Sequence, residues 1–295
     1  MHGEPRVAVV GTGRMGGTMV GTLRRAGTEV MVFNRTRAKA DEVARRTGAT
    51  LAGSAREAVA GAAVVICSLP DDAAVEAAYA GQDGLAAGLG RGAVVCETST
   101  IHPRTLEAVG PLVAERGASL LDTPVSGSVQ LVERGELTVM AGGDAQALMR
   151  ARPVLDQLAA KVFHVGGLGT GATMKLAVNT IVHGLNLALS EALVLAEKAG
   201  VERGAAYEVF AASAVAAPFV LYKRAAYEHP DETPVAFSLD LAAKDLDLAL
   251  DLAAQAGATM EQAATNRRVV GAAVAAGLGD HDLSALATYL RDGPG

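Results

Sequence analysis

Short apolar runs alternate with amphipathic stretches through the first half of the chain, which is the pattern of a parallel α/β sheet. The apolar runs predict strands at residues 6–10, 29–33, 64–69, 93–98, 119–122, 137–141 and 161–165. The amphipathic stretches predict helices at residues 15–26, 37–46, 54–61 and 103–116, and a further helix from about residue 144. Residues 64–69 (VVICSL) and 93–98 (AVVCET) are apolar at successive positions, so both faces of these strands should be covered.

The pattern changes near residue 169. Residues 169–200 follow a single helical period, which at about 1.5 Å per residue makes a helix of roughly 45 Å. Helical segments follow it, and the sequence gives no clear sign of a further strand. We therefore predict two domains, at residues 1–165 and 166–295, of which the second is all-helical and built on this long central helix.

A glycine pattern of the form G-x-G-x-x-G stands directly after the first strand and opens a helix: Gly11, Thr12, Gly13, Arg14, Met15 and Gly16. In this pattern the first glycine permits a tight turn, the second lets the backbone approach a pyrophosphate, and the third lets helix and strand pack closely. The helix N-terminus favours the phosphates. A purely structural turn is the alternative, which the strand-helix-strand context disfavours. We therefore predict that the first domain is a Rossmann-type, doubly wound sheet.

The end of the second strand bears on the choice of dinucleotide. NAD-binding proteins usually carry an acidic residue here for the adenosine ribose. This chain has Asn34, Arg35 and Thr36 instead. The planar cation of Arg35 suits a 2′-phosphate, and its neutral neighbours can donate hydrogen bonds. The sequence thus favours NADP over NAD, although a solvated arginine at a strand end is the alternative.

Polar side chains recur every three or four residues along the long helix, at Lys175, Asn179, His183 and Asn186. This spacing places them on one face of a helix whose other positions are mostly apolar. Partial burial would lower the pKa of Lys175 and suit it to protonate a developing alkoxide, while Asn179 orients the reacting group. Gly169 and Gly171 should let the backbone approach a ligand near Lys175. A histidine such as His183 is more often a satisfied structural residue.

Further candidates follow the strands of the first domain. The carboxyl ends of parallel strands meet at one edge of a sheet, where ligands of open α/β folds bind. The segments at this edge are Leu69 and Pro70, Ser99 and Thr100, and residues 122–128 (DTPVSGS). The last of these offers hydroxyls and amides suited to a carboxylate. Lys244 and Asp245 lie in a later helix, where their spacing is equally compatible with a surface ion pair.

Composition narrows the class of partner. The net charge is −6 and aromatic residues make up 3% of the chain, which argues against nucleic-acid binding. Cys67 and Cys96 lie in apolar runs and indicate buried, reduced thiols in a cytoplasmic protein. We expect no signal peptide, and polar residues disfavour a membrane span at residues 176–196. Neither a metal site nor a Ser/His/Asp triad is predicted, because no cluster has the required spacing.

Seven segments, taken in order, carry a resemblance to a known family: VVGTGRMGGTM, FNRT, ETST, DTPVSGS, GLGTGATMKLAVN, FSLDLAAKDLDLAL and GLGDHDLSAL. Together they resemble the β-hydroxyacid dehydrogenases, which include 3-hydroxyisobutyrate dehydrogenase, and look most like the glyoxylate and succinic semialdehyde reductase branch. The resemblance spans nearly the whole chain. It implies an NADPH-dependent oxidoreductase that transfers hydride between nicotinamide and a small carboxylate-bearing aldehyde, keto acid or hydroxy acid.

The resemblance also implies roles for individual residues. Lys175 looks like the family's catalytic lysine, and Asn179 looks like its substrate-orienting partner. The implied substrate contacts are Ser126, Gly127, Ser128, Phe237 and Asp245. The implied cofactor contacts are Thr100 and Lys244 together with the glycine loop, to which Leu69, Pro70 and residues 34–36 are added from their positions at strand ends.

Two positions depart from the family pattern. Ser128 stands where many members carry glycine, and Asp240 stands where the branch often has a basic residue, which leaves the substrate open. An imine or other prochiral reductase on the same fold is an alternative, but imine reductases typically replace the lysine found at Lys175. A catalytically idle NADP-binding scaffold is another, against which the polar stripe argues. The family and the apolar flanks of the long helix predict a homodimer or a dimer of dimers.

Overall fold

The computed structural model describes residues 6–230 and 232–293 of the chain. The chain divides into two compact units, residues 1–175 and residues 176–295. This division falls within the long helix, whereas the predicted boundary after residue 165 precedes that helix.

One sheet, counted over the described residues, forms the centre of the first unit. Its strands are β1 (Val7–Val10), β2 (Val30–Phe33), β3 (Thr50–Leu51), β4 (Val64–Cys67), β5 (Val94–Glu97), β6 (Ser119–Asp122), β7 (Val125–Ser126), β8 (Leu137–Gly142) and β9 (Ala159–Gly166). They lie in the order β3-β2-β1-β4-β5-β6-β8-β7, with β9 beside β8. Strands β1 to β6 are parallel, and β8 runs antiparallel to β6 and β7 but parallel to β9. The first six strands therefore have the predicted doubly wound order.

The helices of the first unit connect these strands. They are α1 (Arg14–Arg25), α2 (Arg37–Thr47), α3 (Ala55–Val59), α4 (Asp72–Tyr79), α5 (Leu85–Gly88), α6 (Pro103–Ala114), α7 (Val129–Arg134) and α8 (Ala145–Leu155). Expected start signals are present, since Ser54 accepts a hydrogen bond from the Glu57 amide at 3.1 Å and Pro103 is the first residue of α6. The sequence pattern does not predict α4, α5, α7, β3 or β7, because such short elements show too little periodicity.

Two hydrophobic clusters lie on opposite faces of the sheet. Along β4 the side chains alternate, so that Val64 and Ile66 pack with α1, α2 and α8, whereas Val65 and Cys67 pack with α3, α4 and α6. All residues of β1, β4 and β5 are buried. The predicted covering of both sheet faces is confirmed.

The second unit is helical through its described residues. Its elements are the larger part of α9 (Thr170–Lys198), then α10 (Arg203–Ala212), α11 (Pro218–Glu228), α12 (Leu239–Ala256), α13 (Glu261–Ala273), a π-helical turn (Val274–Leu278) and α14 (Ala285–Asp292). An isolated bridge joins Ser238 and Asp282. Leu193, Tyr207 and Leu246 are fully buried in the core of this unit. The predicted all-helical second half is confirmed.

The long helix α9 spans 29 residues, close to the length predicted from the sequence. By length and composition it is the one helix among the described residues that could cross a membrane. Its leucines at positions 187, 189 and 193 are buried in the core of the second unit, and its polar residues Asn179, His183 and Asn186 are buried as well. The apolar composition of α9 is thus that of a core helix.

Candidate active site

The glycine loop lies between the ends of β1 and β4, where the strand order reverses and ligands of this fold class bind. Gly11 has a φ of +95°, and a Cβ on it would overlap the Ser68 carbonyl oxygen. A Cβ on Gly16 would overlap the Gly11 carbonyl oxygen. A Cβ on Gly13, in contrast, would meet no atom of the described chain within 4 Å. Gly11 and Gly16 therefore allow the loop to pack, and Gly13 keeps its outer surface accessible to a ligand.

The start of α1 fits a pyrophosphate. Its cap residue is Gly13, which has no side chain to occupy the first backbone amides, and its first turn contains no acidic residue. The free amides and the positive end of the helix dipole favour an anion there. Within the described chain, the buried hydroxyl of Thr12 has no hydrogen-bond partner and can serve as a further contact.

We expect Gly13→Ala to lose ligand affinity and Gly16→Ala to lose thermal stability. Gly13 has a φ of −67° and a ψ of −169°, which alanine adopts readily. We therefore expect the melting temperature of Gly13→Ala to differ from that of wild type by less than about 2 °C. The affinity of Gly13→Ala for a dinucleotide should fall, because its methyl group would project from the open outer surface of the loop. Gly16→Ala should lower the melting temperature by at least about 5 °C through the clash with Gly11. Circular dichroism melts and NADPH titration measure the two effects. Equal melting temperatures for the two variants would contradict the assignment of Gly16 to packing and of Gly13 to the open surface of the loop.

Asn34 ties the glycine loop to the end of β2. Its Oδ1 accepts a hydrogen bond from the Thr12 amide at 3.1 Å, and its Nδ2 donates to the Thr36 carbonyl at 3.0 Å. Arg35 and Thr36 are exposed, and the first turn of α2 contains no acidic residue. The first bond holds the glycine loop and the second holds the turn after β2, so Asn34 positions this corner, where the Arg35 side chain is exposed.

A buried carboxyl group that the sequence does not single out supports the edge after β4 and β5. Glu97 is 1% exposed; its Oε1 accepts from the Ser99 amide at 3.0 Å and its Oε2 accepts from the Tyr79 hydroxyl at 2.9 Å. The Ser99 hydroxyl in turn accepts from the Leu69 amide at 2.7 Å. Glu97 therefore anchors the two segments that carry Leu69, Pro70 and Thr100.

Burial raises the pKa of Glu97 from its ordinary value of 4.5 to about 7, although the bonds from Ser99 and Tyr79 oppose the rise. Because the folded-state pKa lies above the unfolded-state value, Glu97 stabilises the fold fully at pH below about 4.5 and loses this contribution as pH rises through about 7. Glu97→Gln imitates the protonated acid. We expect it to remove this loss, worth at most roughly 3 kcal/mol, so that its advantage over wild type grows between pH 5 and pH 8.

Denaturant unfolding at a series of pH values checks this expectation, with Glu107→Gln, an exposed change on α6 of the same unit, as the control. An advantage of Glu97→Gln that does not change with pH would contradict it.

Asp122, at the end of β6, caps the start of α9. Its Oδ1 accepts from the Gly169 amide at 2.9 Å and its Oδ2 accepts from the Ala172 amide at 2.7 Å. Burial raises the pKa of this carboxyl group, and the amides only partly oppose the rise. A Cβ on Gly171 would overlap the Met140 carbonyl oxygen and lie 2.8 Å from the Asp122 carbonyl oxygen. Gly171 is therefore required for packing against the protein's own strand ends, and its approach to a ligand stays a prediction.

The predicted carboxylate site, residues 126–128, forms the link between β7 and α7. Ser126 pairs with Thr138 of β8, and Gly127 has a φ of +142°, a conformation that favours glycine. A Cβ on Gly127 would also lie 2.8 Å from Leu137. Ser128 caps α7 without a side-chain hydrogen bond to that helix in the described structure. The serine side chains are half-buried and the glycine is exposed, so the segment remains accessible.

A buried carboxylate organises the polar face of α9 in the second unit. Asp245 is 1% exposed, and its Oδ2 accepts from Asn179 Nδ2 at 2.6 Å. The Nζ of Lys244 lies 3.0 Å from Asp245 Oδ1. A carboxylate only accepts hydrogen bonds, so Asn179 must turn its nitrogen toward Asp245 and its carbonyl oxygen away. Lys244 and Asp245 thus form a partly buried pair and not the surface ion pair that spacing alone allowed.

The predicted wall residue Phe237 packs against His183, with ring centroids 5.8 Å apart and an angle of 41° between the planes. Asp282 holds the backbone of this segment, since its Oδ2 accepts from the Phe237 amide at 3.3 Å. Lys223 Nζ contacts both Asp282 oxygens at 2.6 and 2.7 Å. Asp282 lies in the GLGDHDLSAL segment, which is the one sequence signal that pointed to it.

The structure keeps Lys175 and Asn179 one helical turn apart on α9, as the spacing predicts. Lys175 is half-buried and is the last residue of the first unit. In the glycine loop, Arg14 is exposed and Met15 is half-buried against the sheet core. Asp240 is exposed near the start of α12, and its amide donates to the Gly279 carbonyl at 2.8 Å.

Two family models together match most of the chain. Residues 6–166 match the NAD binding domain of 6-phosphogluconate dehydrogenase, and residues 169–290 match the model described as NAD-binding of NADP-dependent 3-hydroxyisobutyrate dehydrogenase. The chain belongs to the β-hydroxyacid dehydrogenase family. As a β-hydroxyacid dehydrogenase it is an oxidoreductase that uses a nicotinamide cofactor.

Two curated relatives of this β-hydroxyacid dehydrogenase are similar to it over almost their whole length. The 3-sulfolactaldehyde reductase of Escherichia coli is 32% identical over 285 residues, which cover 97% of this chain and 95% of that protein. Glyoxylate/succinic semialdehyde reductase 1 of Arabidopsis thaliana is 31% identical over 280 residues, with coverages of 95% and 96%. The relatives support activity of the hydroxyacid or semialdehyde dehydrogenase type.

Solved structures agree with the assignment of this β-hydroxyacid dehydrogenase. The 3-hydroxyisobutyrate dehydrogenase of Mycobacterium tuberculosis, solved with L-serine, has a TM-score of 0.84 and 32% identity, and the match covers 98% of this chain and 99% of that one. Psf3, solved in complex with NADP+ and 2-OPP, has a TM-score of 0.89 and 26% identity over 96% of this chain and 99% of that one.

Proposed function

We propose that this β-hydroxyacid dehydrogenase is an NADPH-dependent reductase of small aldehydes or keto acids that carry a carboxylate. It acts reversibly on the corresponding 2- or 3-hydroxy acids. The observation that carries the proposal is the buried Asp245, which fixes the amide of Asn179 one helical turn from Lys175. An idle NADP-binding scaffold has no physical need for a buried carboxylate that orients this amide.

Lys175 and Asn179 are the proposed catalytic residues. When bound, the nicotinamide supplies or accepts the hydride. Lys175 gives a proton to the carbonyl oxygen in reduction and takes it back in oxidation. Asn179 gives one N–H of its amide to Asp245. Its second N–H can donate to the reacting carbonyl oxygen in reduction, and its carbonyl oxygen can accept from the substrate hydroxyl in oxidation. The two residues together hold the reacting oxygen and its proton in one orientation.

The proposed carboxylate site is formed by Ser126, Gly127 and Ser128. The two serine hydroxyls and the exposed backbone at Gly127 supply neutral hydrogen-bond donors, which suit an anionic group without a competing negative charge. Phe237 and Asp245 are the remaining proposed substrate contacts, and the negative charge of the buried Asp245 is partly balanced by Lys244 at 3.0 Å. The relatives that act on 3-sulfolactaldehyde and on succinic semialdehyde support a small substrate with an acidic group.

The proposed preference for NADPH rests on Arg35. This exposed cation follows β2, where an acidic residue would bind the ribose of NAD, and the positive end of α2 lies directly after it. The glycine loop, Leu69, Pro70, Thr100 and Lys244 are the other proposed cofactor contacts. The NADP+ complex of Psf3 supports the same cofactor for a protein of this fold.

A substrate screen tests the proposal. NADPH consumption is followed with glyoxylate, with succinic, methylmalonic and tartronic semialdehydes, with sulfolactaldehyde and with a cyclic imine. Butyraldehyde is the matched control, because it has the length of succinic semialdehyde without the carboxylate. We expect turnover of at least one acidic aldehyde and little of butyraldehyde. Turnover of the imine only, or NADPH binding without any turnover, would overturn the proposal.

The assembly and cellular location are also proposals. Ile181 and Leu195 lie on α9 with 73% and 72% of their surface exposed, which supports a homodimer, or a dimer of dimers, that covers them. Both cysteines are free and buried, as expected of a cytoplasmic protein. No nucleic acid or membrane partner is proposed.

A further inference from the structure

His183 lies one helical turn beyond Asn179 on α9 and is only 3% exposed. Neither of its ring nitrogens has a hydrogen-bond partner among the residues that the structure describes. A neutral imidazole carries one N–H donor and one acceptor, and burying both without partners costs free energy. His183 is therefore not the satisfied structural histidine that its apolar surroundings in the sequence suggested.

The carboxylate that orients Asn179 also lies beside His183. The Nε2 of His183 lies 3.8 Å from Asp245 Oδ2, the same oxygen that accepts from Asn179 at 2.6 Å. One carboxylate oxygen can accept two hydrogen bonds. A ring movement of about 1 Å brings Nε2 within the usual N–H···O range of about 2.7 to 3.2 Å.

The surroundings limit how the imidazole can move. Phe237 packs on its ring at 5.8 Å, and the Phe237 backbone is fixed by Asp282 and, through it, by Lys223. A ring supported on this side keeps Nε2 directed toward Asp245. The second Asp245 oxygen, Oδ1, already has Lys244 Nζ at 3.0 Å. Oδ2 is the Asp245 oxygen that Asn179 contacts and that lies 3.8 Å from His183 Nε2, so it is the oxygen that the two residues can share.

We propose that His183 is a positioning residue whose Nε2–H donates to Asp245 Oδ2 in the working enzyme, beside the bond from Asn179. Two donors on one oxygen restrain the rotation of the carboxylate, and the fixed carboxylate holds the Asn179 amide in one orientation for the substrate. His183 contacts neither substrate nor cofactor. The role rests on the proposed function, because it concerns the substrate-orienting Asn179.

Three substitutions distinguish the contributions of the two ring nitrogens of His183. His183→Gln places an amide nitrogen near the position of Nε2, His183→Asn places one near Nδ1, and His183→Leu supplies neither. We expect His183→Gln to keep kcat within about twofold of wild type, and the other two to lower kcat by about tenfold, the loss expected for one hydrogen bond to a charged group. NADPH affinity should be unchanged in all three.

Melting temperatures identify any variant that is unfolded, and the comparison of His183→Gln with His183→Asn still decides the question if His183→Leu is lost. Equal kcat values for the glutamine and asparagine variants, or rescue by asparagine instead of glutamine, would overturn the proposal.

A second readout does not depend on turnover. In protein labelled with ¹⁵N-histidine, we expect an imidazole resonance of the Nε2–H tautomer with a slowly exchanging proton, absent in His183→Gln and shifted in Asp245→Asn. An Nδ1–H tautomer, or a resonance unaffected by Asp245→Asn, would contradict the hydrogen bond. If the substrate screen fails but this resonance behaves as expected, the proposed function is wrong and the His183–Asp245 contact stands.

Discussion

Lys175→Ala is expected to lower kcat for the reduction of an acidic aldehyde by about 10³-fold, within the range of about 10² to 10⁴ that general acid catalysis contributes. Alanine cannot supply the proton to the carbonyl oxygen. The substitution lies on α9 and leaves the glycine loop and Arg35 intact. NADPH affinity should therefore change little. Steady-state kinetics and NADPH titration measure the two effects, and unchanged turnover would remove Lys175 from the mechanism.

Two further variants sharpen this test. Lys198→Ala removes an exposed lysine at the other end of the same helix and should leave kcat unchanged. Lys175→Arg keeps the positive charge but cannot release a proton near neutral pH, because guanidinium has a pKa above about 12. We expect it to be nearly as slow as the alanine variant. Turnover close to wild type would mean that the lysine acts through its charge.

Arg35→Glu is expected to weaken NADPH binding by roughly 30-fold or more, as loss of a charge-assisted bond to phosphate predicts. The introduced carboxylate would also repel the 2′-phosphate. NADH carries a hydroxyl group at this position, which a carboxylate can accept, so its affinity should hold or improve. The Kd values for both cofactors, measured by titration, give the change in preference.

The control for this change is Arg45→Glu, which reverses an exposed charge in the last turn of α2 and should leave the ratio of the two Kd values unchanged. If Arg35→Glu weakens NADPH and NADH equally, Arg35 does not recognise the 2′-phosphate. A general loss of binding would then point to a disturbed corner, where Asn34 holds the Thr12 amide.

The parts of the fold that could be predicted depend on interactions between residues close in sequence. Gly11, Gly13 and Gly16 show their pattern within six positions, and the Ser54 cap requires only Glu57 three residues later. The stripe on α9 follows from helical periodicity. The parallel pairing of the first six strands also follows, because strands that alternate with helices pair in parallel through crossovers of a fixed hand.

The residues that could not be predicted have partners far away in the sequence. Asp122 binds amides 47 and 50 residues later, and Glu97 acts on Leu69 only through Ser99. Gly171 illustrates the same difficulty, since its spacing before Lys175 suggested a ligand whereas Met140 and Asp122 lie against it. No local pattern distinguishes these cases, because the identity of the neighbour is decided by the sheet.

The register of β4 and β5 has a practical consequence. Ile66 pairs with Cys96 and Cys67 pairs with Glu97, so the two thiols lie on opposite faces of the sheet and cannot join. Burial raises the pKa of Cys67 and brings that of Cys96 to about 12, which keeps both as unreactive thiols. An alkylating reagent can reach them only when the sheet opens. Since the chain has 2 cysteines, both in the first unit, their rate of alkylation measures how often the sheet of that unit opens.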